Sequence, residues 1–121
     1  MSVNKNYYVI AGYDLTGWKT NKYEDWQWTD EGEKYTCYQR KGNIQLFDDP
    51  MSGEHLYLGY ILADGDEYEF KTTKINTWKF AEVEPEVLYS LKHLIDIGII
   101  NKNIFISKDF KYEMIVFEEC T

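Results

Sequence analysis

Residues 33–74 read EKYTCYQRKGNIQLFDDPMSGEHLYLGYILADGDEYEFKTTK. Four strand-like runs are separated by three turn signals, Lys41-Gly42-Asn43, Asp48-Asp49-Pro50-Met51-Ser52-Gly53 and Ala63-Asp64-Gly65-Asp66. Residues 33–40 alternate Tyr35 and Cys37 against Thr36 and Tyr38. Residues 43–48 carry Ile44 and Leu46 on one face. Residues 55–63 set Leu56, Leu58, Tyr60 and Leu62 against Tyr57, Gly59 and Ile61. Residues 67–74 set Tyr68, Phe70 and Thr72 against Glu67, Glu69, Lys71 and Thr73. Successive strand side chains point to opposite faces, so this last alternation describes a sheet wet on one side. Gly42 or Asn43 supplies the positive φ of a hairpin loop, Pro50 fixes φ in the next turn, and Asp49 bonds the turn backbone. The pattern predicts an antiparallel meander on which the rest of the chain packs.

Upstream, residues 6–15 (NYYVIAGYDL) are apolar on both faces, as a central strand requires, and Gly12 marks a bulge or a close approach. Residues 16–32 have no clean period. They interleave Trp18, Tyr23, Trp26 and Trp28 with Glu24, Asp25, Asp30 and Glu31. An ordered loop is expected there, with a short helical turn near 22–26, rings on the sheet and carboxylates outward. Downstream, 75–82 is expected to be a connector carrying Trp78 and Phe80. Residues 84–97 are the clearest helix. Pro85 suits its first turn, Glu82, Glu84 and Glu86 complement its positive end, and Val87, Leu88, Leu91, Leu94 and Ile95 form a stripe. Gly98 is the expected C′ residue, with Ile99 and Ile100 packing back. Residues 104–107 and 111–118 are expected to pair as a last hairpin. The fold class is therefore α+β in one domain: an antiparallel sheet of about five to six strands, the meander at its centre, with the 84–97 helix on one face.

The chain has 121 residues, enough for one domain that buries roughly two-thirds of its unfolded surface without a metal or disulfide staple. Its aromatic fraction of 17% is high, so several Tyr and Trp must lie on the surface, where such residues anchor interfaces. The formal net charge of −8 disfavours direct binding to nucleic acid and favours cationic partners. It also falls in the ordinary range for a small soluble domain. Cys37 and Cys120 are too few for a secreted disulfide framework. Cys37 reads as a small buried residue and Cys120 as a loose thiol, with a bridge between them as the alternative. The first residues lack a signal-peptide pattern and no apolar run is long enough to span a membrane, so a cytoplasmic location is expected.

The residues point to no cofactor and no metal. His55 and His93 are the only histidines, and neither has ligand spacing; His93 lies off the helix stripe and is expected at the surface. The run Asp64-Gly65-Asp66-Glu67 lacks the register of a calcium loop. Asp49 with Glu69 and Lys71 has the residue types of a metal-dependent nuclease, Asp…Glu-x-Lys, but the acidic balance leaves no basic track to hold DNA. Nucleophile elbows and phosphate-binding loops are missing from the sequence.

Carboxylates gather at 24–33, 48–54, 64–69 and 82–86. Duplex DNA carries one charge per ~1.7 Å of axis, so an acidic surface set with aromatic rings can occupy a basic nucleic-acid groove. The expected contacts are Glu24, Asp25, Asp30, Glu31, Asp48, Asp49, Asp64, Asp66 and Glu67, with Trp26 and Trp28 as anchors. Consecutive turns of a meander lie at opposite ends of the sheet. The 64–67 turn should thus act with 24–33, or 48–54 act alone.

In size and style, in NKNYYVIAGYDL, in the acid-rich turns FDDPMSGEH and ADGDEYEF and in the tail IINKNIFISKDF, the chain resembles small acidic proteins of phages and prophages of low-GC Gram-positive bacteria. The resemblance implies a non-enzymatic inhibitor of the anti-CRISPR type, a DNA mimic whose partner is a bacterial defence nuclease such as a CRISPR-Cas effector. Two alternatives stand beside it: a phage accessory or structural protein that buries its aromatic residues in a homo-oligomer, and the metal-dependent nuclease at Asp49, Glu69 and Lys71.

Overall fold

The computed structural model describes residues 5–36, 43–49, 55–66 and 76–120, with Lys5, Asp49, Asp66, Glu119 and Cys120 described by backbone alone. Strand β1 (Lys5–Asp14) is followed by two short helices, α1 (Tyr23–Trp26) and α2 (Asp30–Thr36). Strands β2 (Ile44–Asp49) and β3 (His55–Asp66) come next, then helices α3 (Thr77–Glu82) and α4 (Glu84–Asp96). A 3-10 helix (Lys102–Ile106) and strand β4 (Glu113–Cys120) complete the chain. The fold is α+β, and its antiparallel sheet has the order β2-β3-β1-β4.

The doubly apolar β1 lies inside the sheet, as its sequence predicts. Tyr8 and Ile10 are buried on one face with Phe47, against Tyr57, Ile61, Ile115 and Phe117. Ala11, Tyr13 and Leu15 are buried on the other, with Leu46, Leu56, Leu58 and the α4 stripe of Val87, Leu91 and Leu94. Gly12 marks a close approach. It lies opposite Gly59 in the ladder, and a Cβ built on it would stand 1.9 Å from the Leu58 carbonyl oxygen. The register slips between Val9 and Ile10, whose partners are Ala63 and Ile61, which leaves Leu62 as the bulged residue.

Five expectations are corrected. The sheet has four strands among the described residues, fewer than five to six, and its centre is β3 and β1 rather than the meander. The first meander strand is replaced by α2 over residues 30–36. The Thr29 hydroxyl donates to the Trp26 carbonyl and accepts from Gly32 N–H at 3.1 Å, while Asp30, Glu31 and Glu33 occupy the positive first turn. The Asp64-Gly65-Asp66 segment is strand, not turn: β3 continues until Asp66 faces Asn6, because the long β1 offers ladder partners that far. Ile104 to Ser107 do not form a strand. Asn101 caps the 3-10 helix by accepting from Asn103 N–H, and only Ile104 of that helix is buried. The connector expected at 75–82 contains α3, which Asn76 caps through Trp78 N–H at 2.9 Å. Residues 67–74 and Cys37 lie outside the described residues, as does the side chain of Cys120.

Helix α4 follows its sequence closely. Pro85 sits in its first turn, Gly98 takes φ +86° after it, and Ile99 N–H returns to the Leu94 carbonyl at 3.1 Å. Among the described residues no helix is long and apolar enough to cross a membrane.

Candidate functional site: an acidic, aromatic lobe

Residues 23–36 form a lobe on the β2 side of the sheet, where α2 packs against β2. In α1 the i, i+3 pair Tyr23 and Trp26 turns inward and Glu24 and Asp25 turn outward. Tyr23 is fully buried and Trp26 is 9% exposed; their ring centroids lie 5.9 Å apart, and Tyr35 flanks Trp26 at 5.7 Å. Trp28, at the α1–α2 junction, is 75% exposed. Asp25, Asp30 and Glu33 are also exposed and join no ion pair among the described residues, while Glu24 accepts from Gln27 Nε2 at 2.9 Å.

The lobe is tied down at both ends. Before it, Lys19 Nζ lies 3.0 Å from Asp48 Oδ2 and 4.7 Å from the Tyr23 ring centroid. Thr20 donates its hydroxyl to the Gly98 carbonyl and its N–H to Ile99 O. At the other end, His93 Nε2 of α4 reaches Glu31 Oε1 at 2.5 Å. This bond, before any other influence, holds the Glu31 carboxyl below the usual range. Both partners are about half exposed, so the pair is worth no more than about 1 kcal/mol. His93 is therefore a lobe tether, a role its spacing in the sequence did not signal.

The predicted contacts divide. Glu24, Asp25, Trp28, Asp30 and Glu31 share the lobe surface. Trp26 is beneath it, in the core. Asp48 is mostly buried and neutralised by Lys19, yet it lies close enough to Tyr23 for both it and Glu24 to act on the same phenol. The 24–33 cluster thus sits with Asp48 and not with Asp64, whereas the meander pointed to 24–33 with 64–67 or to 48–54 alone. Asp49 ends β2 opposite His55, while Asp64 and Asp66 pair with Tyr8 and Asn6 at the far end of β1. At ~3.3 Å per residue, Asp64 lies on the order of 25 Å along β3 from Leu56, the ladder partner of Asp48. Glu67 lies outside the described residues, as do Glu69 and Lys71. No group of three or more His, Cys, Asp or Glu suited to a metal ion occurs among the described residues.

No family model matches the chain, and comparisons with curated proteins and with solved structures return no match.

The phenols beneath the surface respond to the acids above them. Burial pushes Tyr23 far above its usual value, and Asp48 and then Glu24 add to the shift. Burial, then Glu84, pushes Tyr112 up to about 12 and raises Tyr13 as well. A phenol held neutral in the fold but free to ionise when unfolded stabilises the fold fully below the unfolded value of 10.0; that stability is lost as pH rises beyond it. The Tyr23 hydroxyl makes no hydrogen bond of good geometry. Tyr23→Phe should therefore cost little at neutral pH, within about 0.5 kcal/mol of zero, and should flatten the loss of stability above about pH 10. Urea unfolding across that pH range checks it. An unchanged alkaline slope would show that other phenols control the loss.

Proposed function

We propose that this chain is a non-enzymatic binding protein whose 23–36 lobe enters a basic groove that otherwise holds nucleic acid, the groove being that of a bacterial defence nuclease of the CRISPR-Cas type. The observation that carries the reading is that Trp28 is exposed on the same short segment as the exposed Glu24, Asp25, Asp30 and Glu33, a segment held by the buried Trp26 and Tyr23. Exposed carboxylates without ion pairs retain their field for a partner, and steer a cationic one to them. An exposed tryptophan within such an acidic segment is the residue type on which interface energy concentrates. Inhibition would come from occupying the groove, by steric and electrostatic competition with DNA.

The test is competition between the protein and DNA for a purified nuclease at low and high salt. The triple variant D25K/D30K/E33K should lose affinity by about a hundredfold, mainly through slower association, and Trp28→Ala by about tenfold. These side chains are exposed, so thermal unfolding should change little. Affinity that ignores both salt and the triple substitution would end the electrostatic reading.

A further inference from the structure

The sheet has two edges, and they are treated differently. Helix α2 packs against β2, whereas β4 pairs on its inner side with β1 and, among the described residues, no strand lies beyond it. The β1–β4 ladder runs through eight consecutive positions, Lys5 with Cys120 to Gly12 with Glu113, without a bulge. Regular open edges of this kind recruit another strand unless a lysine, a proline or a bulge interrupts them. None interrupts the centre of β4, which reads Met114-Ile115-Val116-Phe117. Val116 is 71% exposed and Met114 38% exposed, and both point to the face shared with Val9 and Ala11.

We propose that β4 pairs antiparallel with β4 of a second copy, about a two-fold axis through Ile115, to give a continuous eight-stranded sheet. In this register Ile115 meets Ile115 and Phe117 meets Glu113 of the second copy. Met114 meets Val116 of the second copy on both sides of the axis, so each exposed apolar side chain gains an apolar cross-strand neighbour. Shifting the axis to Val116 would set Met114 opposite a glutamate, Glu118. Glu113, two positions from the axis, already has a cation, with Lys111 Nζ 3.5 Å away. The occupant is a second copy because the strand is self-complementary in this register, and association closes at two because a two-fold contact uses the same edge of both copies. The two lobes then project from the outer edges of the sheet, separated by on the order of 35 Å at ~4.8 Å per strand. This pairing is independent of what the lobe binds.

Two copies of net charge −8 repel, so dimerisation should tighten as salt rises, opposite in sign to the lobe's binding to a basic partner. Sedimentation equilibrium from micromolar to sub-millimolar protein should give twice 14.4 kDa at the upper end. Met114→Glu and Val116→Lys should each weaken the dimer by about tenfold or more while leaving thermal unfolding of the monomer unchanged. An equimolar mixture of M114E and V116K should dimerise again, because position 114 of one copy faces position 116 of the other. A strict monomer throughout, or a dimer indifferent to both substitutions, would overturn the proposal. Loss with each variant but no recovery in the mixture would overturn the Ile115-centred register. Growth beyond a dimer would show that association does not close at β4.

Discussion

Gly12→Ala is expected to destabilise the protein by at least about 4 kcal/mol, at the extreme of single-residue effects and a large part of the stability of a domain this size. The added methyl would stand 1.9 Å from the Leu58 oxygen, 2.6 Å from Gly59 Cα and 2.8 Å from Leu58 C. All three are backbone atoms of β3, so no side-chain rotation relieves the overlap, and β1 must part from β3 in the middle of the sheet. Two other glycines give the scale. A Cβ on Gly59 would meet Ile10 Cδ1 at 2.8 Å, a side-chain atom that can move in part, and the backbone oxygen of Ala11 only at 3.0 Å. Gly17, at φ +85°, has nothing within 4 Å, so alanine there costs only the left-handed strain of about 1 kcal/mol. Urea unfolding of the three variants should rank them Gly12, Gly59, Gly17 in decreasing cost. A Gly12→Ala cost below that of Gly17→Ala would show that β1 and β3 do not approach as closely as described.

Trp26→Ala should cost about 3 kcal/mol, the lower end for a buried large aromatic, and should unseat the lobe. The cost comes from the packing lost against Tyr23 and Tyr35. It is moderated because the buried indole Nε1 makes no hydrogen bond of good geometry, so truncation also removes an unsatisfied group. Trp26→Phe keeps the ring contacts and drops that N–H, and should cost under about 1.5 kcal/mol. Near-ultraviolet circular dichroism and urea unfolding separate the two variants. In the nuclease competition assay Trp26→Ala should weaken binding with every surface carboxylate still present, because an unmounted lobe must be ordered on docking. A stability cost below about 1 kcal/mol would mean that the lobe is mounted by other contacts.

These two positions also show what was legible in advance. The two apolar faces of residues 6–15 placed β1 inside the sheet, and Gly12 announced a close approach, because an interior strand must bury both faces and only glycine lets two backbones draw so near. The helix of α4 was equally plain, from its stripe, its Pro85 start and its Gly98 stop. These signals are local, written in period and in conformational preference. Residues 30–36 misled for the same reason: Tyr35 and Cys37 alternate like a strand, but the Thr29 hydroxyl and the acids behind it favour a helix start, and capping outweighed alternation. Asp64-Gly65-Asp66 reads as a turn in isolation, yet the pairing partners that β1 extends to it keep it in the ladder.

For the candidate site, composition and order along the chain set the ingredients: a surplus of acid, an excess of rings, and their interleaving between residues 23 and 33. Which rings face water was settled by packing in three dimensions. Trp26 and Trp28 are two residues apart and equally apolar, but Trp26 ends α1 facing the core and Trp28 lies in the turn after it facing water, so one mounts the lobe and the other crowns it. Only the tertiary structure brought Asp48 to Tyr23 and Glu31 to His93, across 25 and 62 positions of chain. Propensity and period act over a few neighbouring residues, whereas the sum of electrostatic and packing contacts that groups distant carboxylates, or parts them to the two ends of β3, exists only once the sheet register is set.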